Sequence, residues 1–150
     1  MKQDYLVLNH LVKIFGGGKE SVMAVNDVNL EVQEGELVTL LGPSGCGKTT
    51  TLRMVSGFEL PTSGEILLDG ENISMTPPNK RPTTMVFQNY ALFPHLTVYE
   101  NIAYGLTLRK EPEREVRRKA EAVMHRGGSQ GMSDRAPAKL SGGQQQRVSL

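Results

Sequence analysis

Residues 42–49 read Gly42-Pro43-Ser44-Gly45-Cys46-Gly47-Lys48-Thr49, which satisfies the pattern G-x-x-x-x-G-K-[ST] at every fixed position. Before it, Glu36-Leu37-Val38-Thr39-Leu40-Leu41 is a short apolar run bounded by Gly35 and Gly42, the composition of a buried parallel strand. After it, Leu52, Met54 and Val55 recur at helical spacing. Strand, glycine-rich loop and helix in this order form the context in which the pattern cradles phosphate. Glycine lets the backbone curl so that successive N–H groups converge on phosphate oxygens. A helix starting near Lys48 adds free N–H groups and the positive end of its dipole. The octet and Thr50 after it therefore predict a nucleotide site. Lys48 would reach the β- and γ-phosphates as a point charge, and the Thr49 hydroxyl would ligate Mg²⁺.

Composition fits an ordinary folded domain. The chain has 150 residues, 38% of them hydrophobic and 22% charged, which predicts one domain. A net charge of +1 excludes a nucleic-acid or membrane-surface role driven by bulk charge. The densest charge run, Arg109 to Arg118, mixes both signs and reads as a solvated helix face. Cys46 is the one cysteine, so no internal disulfide is available, and a reducing compartment is expected. Its place in the loop makes it a small filler rather than a redox group. Nothing near the N-terminus has signal-peptide character, and no apolar stretch approaches the ~20 residues of a membrane span. A cytoplasmic protein is expected, with any membrane association made through partners.

The rest of the chain is organised around that loop. Residues 5–9 and 22–32 alternate apolar and polar side chains, predicting antiparallel strands joined across Gly16-Gly17-Gly18. Gly64 to Gly70 is a further short strand closed by a turn at Asp69-Gly70. Thr83-Thr84-Met85-Val86-Phe87, after the loop containing Pro77, Pro78 and Pro82, reads as a second buried strand. Helices are predicted over Val98–Leu106 and Glu113–Met124, and a loop over Arg126–Gly131, where three glycines disfavour helix. Ile66-Leu67-Leu68-Asp69 imitates the apolar strand ending in aspartate that holds Mg²⁺ in phosphate-loop enzymes, but the following Gly70 marks Asp69 as a turn residue. No other apolar run ends in Asp or Asp-Glu. His10, His95 and His125 have neither ligand-like spacing nor an acidic sequence neighbour.

A second string completes the pattern. Leu140-Ser141-Gly142-Gly143-Gln144-Gln145-Gln146-Arg147 lies near the end of the chain, and Val86-Phe87-Gln88-Asn89-Tyr90-Ala91-Leu92-Phe93-Pro94-His95 lies between it and the loop. With these three segments the chain resembles an ABC transporter nucleotide-binding domain from about Tyr5 to Leu150. More narrowly it is similar to the ATPase subunits of binding-protein-dependent importers of the spermidine/putrescine, ferric-iron, sulfate and maltose kind. The resemblance implies an α/β phosphate-loop NTPase with an N-terminal antiparallel β-subdomain, a partial parallel core sheet and an α-helical subdomain, truncated before the acidic metal-binding strand. Divided on that template, residues 1–90 hold the β-subdomain, core and Gln88 loop, 91–140 the helical subdomain, and 141–150 the signature.

The resemblance also implies roles. Gly42 to Thr50 is the family's phosphate loop. Gln88 would ligand Mg²⁺ and touch the attacking water, a task that suits a neutral amide. Phe15 stands where the family stacks an aromatic on adenine, although the glycine loop after it is longer than usual. Ser141, Gly142, Gly143 and Gln144 would bind the γ-phosphate held by the opposite subunit, since a helix start favours an anion. The implied cofactors are ATP and Mg²⁺. The implied partners are a second nucleotide-binding subunit paired head to tail, two transmembrane permease subunits docking near Ala91–Gly105, and, indirectly, a solute-binding protein. That places the chain on the inner face of the plasma membrane through its partners, with no nucleic-acid role.

The family's catalytic glutamate, metal-binding aspartate and switch histidine fall beyond Leu150. From this chain alone, nucleotide binding with little hydrolysis is expected, and Glu36–Leu41 is expected to expose an apolar face. A non-catalytic nucleotide-binding fragment that pairs with an intact subunit is one alternative. A soluble ABC-type ATPase is another, which the importer-like wording after Gln88 and the absence of a basic patch disfavour.

Overall fold

Alternation of apolar residues on one strand face and φ-permissive residues at the bends dictates the first architecture. In the computed structural model, which describes residues 4–150, β1 runs over Asp4–Phe15, β2 over Val22–Gln33, β3 over Ser63–Leu68 and β4 over Glu71–Asn72. They form one sheet in the order β2-β1-β3-β4, antiparallel at every pairing. The Gly16–Gly18 loop does join the first two strands. β1 extends beyond the predicted 5–9 because it is hydrogen-bonded on both sides, to β2 and to β3. Register breaks on both partners of β1 coincide with left-handed residues at His10 (φ 48°) and Asp27 (φ 50°), the signature of bulges. Asp69 (φ 49°) and Gly70 (φ 79°) form the predicted turn, with left-handed conformations at both central positions as a type I′ hairpin requires. Asp69 is thereby a turn residue.

Leu8, Leu11, Val25, Met54, Ile66, Leu68 and Ile73 are buried together, so one face of the sheet closes on α1, Lys48–Val55. This unit spans Met1–Met85, and the second spans Val86–Leu150. The second is helical, with α2 over Val98–Leu108, α3 over Glu113–Arg126 and α4 over Gly142–Ser149. Val98, Met124, Leu140 and Val148 make its main core, and Ala103, Val116 and Ala120 make a smaller one where α2 meets α3. As expected, α3 stops at the glycine cluster, with Gly127 at its end and Gly128 and Gly131 both left-handed.

The two parallel strands expected at Glu36–Leu41 and Thr83–Phe87 are a correction. Neither segment is a strand among the described residues, so the parallel part of the core sheet is not formed there. A strand exists only where a neighbour accepts and donates its ladder hydrogen bonds. Among the described residues no ladder pairs either run with a neighbouring strand. The apolar exposure expected of the first run is observed: Leu37 is 92% and Leu41 95% exposed.

Helix α2 begins with a capping box that titrates. Glu100 N–H donates to Thr97 Oγ1 at 3.2 Å, and Thr97 N–H donates to Glu100 Oε2 at 2.7 Å. The Thr97 backbone hydrogen bond, and then its side-chain bond, hold the Glu100 carboxyl below its ordinary value. A depressed folded-state pKa contributes stability above the unfolded value, about 4.3, and loses it as pH falls through the folded value. Glu100→Gln keeps the hydrogen bond and removes the charge change. Melting of the variant is therefore expected to depend less on pH below about 4.3 than wild type, as circular dichroism would show.

Candidate nucleotide-binding site

The loop of residues 42–47 takes its shape from two left-handed glycines, Gly45 (φ 84°) and Gly47 (φ 92°). Gly47 is the N-cap of α1, and Thr51 N–H donates to its carbonyl at 2.8 Å to close the first turn. A Cβ on Gly47 would lie 2.4 Å from the Ala24 carbonyl oxygen, so the loop is seated directly against β2. Lys48 Nζ donates to the carbonyls of Gly42 at 2.6 Å and Pro43 at 2.8 Å, and lies 3.4 Å from Cys46 Sγ. Its ammonium is thus held against the loop it follows. Cys46 is exposed and unpaired, and a Cβ on Gly42 would come within 2.7 Å of its sulfur. It packs back on the loop, the filler role read from sequence. Ser44 and Thr49 are exposed, and Thr50 is half-buried on the first helical turn.

Phe15 ends β1 at the same sheet as the loop, paired with Val22 on β2. It is 39% exposed, and Lys13 Nζ sits 4.8 Å from its ring centroid. Lys13 is itself held by Glu59 at 2.7 Å and by the Leu60 carbonyl at 2.8 Å, which keeps it over the ring.

The remaining predicted residues lie in the helical unit. Gln88 is exposed in a turn closed by Tyr90 N–H to the Phe87 carbonyl at 2.9 Å. Tyr90 (φ 62°) and Ala91 (φ 50°) follow it in left-handed conformation, which costs about 1–3 kcal/mol for each non-glycine residue. Ser141 caps α4: Gln144 N–H donates to Ser141 Oγ at 3.4 Å, and Ser141 N–H donates to Gln144 Oε1 at 2.8 Å. A Cβ on Gly142 would lie 3.6 Å from the Tyr90 hydroxyl, so the Gln88 turn and the signature helix start are neighbours. Ser141→Ala removes the cap and is expected to cost about 1 kcal/mol in urea unfolding of the helical unit.

Sequence reasoning missed Asn101. Its Oδ1 accepts from Phe93 N–H at 2.8 Å, and its Nδ2 donates to the carbonyls of Phe93 (3.2 Å), Leu96 (3.2 Å) and Thr97 (2.8 Å). It ties the chain after Gln88 to α2, and an asparagine one turn inside a capped helix is the only sequence sign of that task. Among the described residues no group of three His, Cys, Asp or Glu could hold a metal, and no helix is long and apolar enough to cross a membrane.

Comparison with known proteins agrees with this geometry. The family model "ABC transporter" matches residues 25–150. The chain is 50% identical over 145 residues to the spermidine/putrescine import ATP-binding protein PotA of Acidothermus cellulolyticus, covering 97% of this chain and 38% of that protein. It is 49% identical over 149 residues to the Fe(3+) ions import ATP-binding protein FbpC of Vibrio cholerae, covering 99% of this chain and 41% of that one. The chain therefore spans about two-fifths of the length of these relatives. Among solved structures, the ATP-binding cassette MJ0796, a dimer in a post-hydrolysis state bound to ADP and Pi, superposes with a TM-score of 0.83 at 32% identity, over 96% of this chain and 66% of that one. CbiO1 from Clostridium perfringens, part of the ABC transporter complex cbiONQ, gives a TM-score of 0.80 at 28% identity, over 98% of this chain and 60% of its own. The fold is that of the phosphate-loop ATP-binding cassettes, and the chain belongs to the ABC transporter family.

Proposed function

We propose that this chain is the nucleotide-binding part of an ABC import ATPase, in which MgATP binding and hydrolysis drive uptake of a small solute such as a polyamine or ferric iron. The observation that carries the reading is the loop of residues 42–47, with the Lys48 ammonium held at its mouth and α1 starting behind it. The loop N–H groups and Lys48 would take the phosphates, and Phe15 would stack on adenine. Hydrolysis here is positioning plus charge stabilisation of the γ-phosphoryl group.

The donor set suits Mg²⁺, which prefers oxygen ligands and keeps several waters. Thr49 offers a hydroxyl and Gln88 an amide oxygen, so phosphate and water oxygens would supply the rest. When bound, the ion would neutralise charge on the phosphates.

Ser141, Gly142, Gly143 and Gln144 would receive the γ-phosphate held by a second copy, at the capped start of α4. Phe93, Tyr104 and the chain of Ala91–Gly105 would offer the surface to permease subunits, since the Phe93 and Tyr104 rings, 4.5 Å apart, are both part-exposed there. Residues 1–90, 91–140 and 141–150 then serve as nucleotide-holding core, partner-facing subdomain and signature. Membrane association through those permeases follows from this reading. Light scattering with a non-hydrolysable MgATP analogue tests the pairing. The mass is expected to double with nucleotide and to stay single in Ser141→Arg. A chain that binds the analogue yet remains single contradicts the head-to-tail arrangement.

A further inference from the structure

Arg81 is a buried cation that the phosphate chemistry above leaves unused. It follows the Pro78–Lys80 turn and is 6% exposed. Its three nitrogens donate to four backbone carbonyls: Nε to Thr76 at 2.6 Å, Nη1 to Met54 at 2.6 Å and Val55 at 2.9 Å, and Nη2 to Ser74 at 3.0 Å. Burial pulls its pKa below the ordinary guanidinium value. It forms no ion pair with a carboxylate among the described residues. A buried charge in that setting is costly unless its donors are met, and here carbonyl dipoles meet them.

The identity of those carbonyls matters. Met54 and Val55 are the last residues of α1, so the guanidinium caps the negative end of the helix whose first residues are Lys48 and Thr49. Ser74 and Thr76 belong to the chain that leaves β4. One rigid fork therefore ties the far end of α1 to the rim of the sheet, a span that a point-charge ammonium cannot reproduce. Gly57 leaves the room for it: a Cβ there would lie 2.7 Å from Arg81 Nε. At 8 residues α1 is too short to persist by itself. Its start is fixed where Gly47 meets Ala24, and its end is fixed by Arg81.

We propose that Arg81 is a positioning residue for the phosphate loop, acting through α1 to hold Lys48 and Thr49 at the angle that receives phosphate. The proposal rests on the reading of Lys48 as a phosphate ligand and adds the element that aims it. Neither the loop motif nor the relatives' names assign Arg81 a task.

Amide hydrogen exchange and MgATP titration of wild type, Arg81→Lys and Arg81→Met test it. Arg81→Lys is the deciding variant, because it keeps a cation and three donors while losing the fork. Its amides from Thr51 to Gly57, along α1 and the turn that ends it, are expected to exchange at least tenfold faster, with the β1 amides of Leu8 and Leu11 within twofold of wild type. MgATP affinity is expected to fall at least fivefold at a temperature where circular dichroism shows the variant folded, and further in Arg81→Met. Unchanged α1 exchange, or exchange raised equally in β1 and α1, overturns the proposal, the second outcome showing a general staple of the fold. If wild type fails to bind MgATP, the phosphate reading falls and this proposal with it. Flat α1 exchange beside intact, Lys48-dependent binding overturns the positioning role alone.

Discussion

Lys48→Ala is expected to weaken MgATP binding about ten- to a hundredfold while leaving the fold nearly unchanged. The asymmetry follows from what the ammonium touches. Its partners in the structure are the carbonyls of Gly42 and Pro43, both exposed residues, which water can satisfy once the side chain is gone. Truncation should therefore cost the fold less than about 1 kcal/mol, typical of a surface change. A charge-assisted hydrogen bond to phosphate is worth more, about 1.5–3 kcal/mol, and each 1.4 kcal/mol is tenfold in affinity. Calorimetric titration beside a thermal melt separates the two quantities. Equal MgATP affinity in the variant would remove Lys48 from the site.

Gly47→Ala is expected to be worse for both fold and binding. The residue is left-handed at φ 92°, and the added carbon would sit 2.4 Å from the Ala24 carbonyl oxygen, a backbone atom that cannot swing aside. Left-handed strain costs about 1–2 kcal/mol. Displacing α1 from β2 adds to it, since Met54 on that helix is fully buried among Leu8, Leu11 and Ile66. A total of about 3 kcal/mol or more is expected, which lowers the melting temperature of so small a unit by more than about 10 °C. Gly17→Ala is the control. That glycine has φ −150° and an added carbon there meets nothing, so its melt should stay close to wild type.

How far the sequence carried the fold depended on whether a feature is local. The phosphate loop was legible because its geometry is made by consecutive residues, glycine where φ turns positive and lysine where the helix begins. The Asp69-Gly70 turn and the helix start at Ser141 were legible for the same reason. Glu36–Leu41 and Thr83–Phe87 misled, because apolar composition says that a segment suits a strand and says nothing of whether a neighbour is there to pair with it. Asn101 left only a faint sign, an asparagine one turn inside a capped helix, and Arg81 was invisible. A side chain that meets carbonyls 5 to 27 positions away in sequence leaves no periodic trace, and arginine beside a Pro-rich turn reads as an ordinary surface charge. The division of roles among Lys48, Thr49, Gln88 and the signature is a proposal that rests on motif chemistry; the structure shows, within each unit by itself, that the loop curls and that the signature start neighbours the Gln88 turn.

The most direct test of the account is a thermal unfolding scan of the chain with and without MgATP, alongside Lys48→Ala. A ligand that binds only the folded state at a hundred times its dissociation constant adds about 2.7 kcal/mol. A cooperative transition raised by MgATP in wild type, and raised by only about 0.4–1.4 kcal/mol in Lys48→Ala at the same ligand concentration, is the result the account predicts. A cooperative transition that ignores MgATP in both proteins would contradict it, since the loop would then be folded and yet hold no nucleotide.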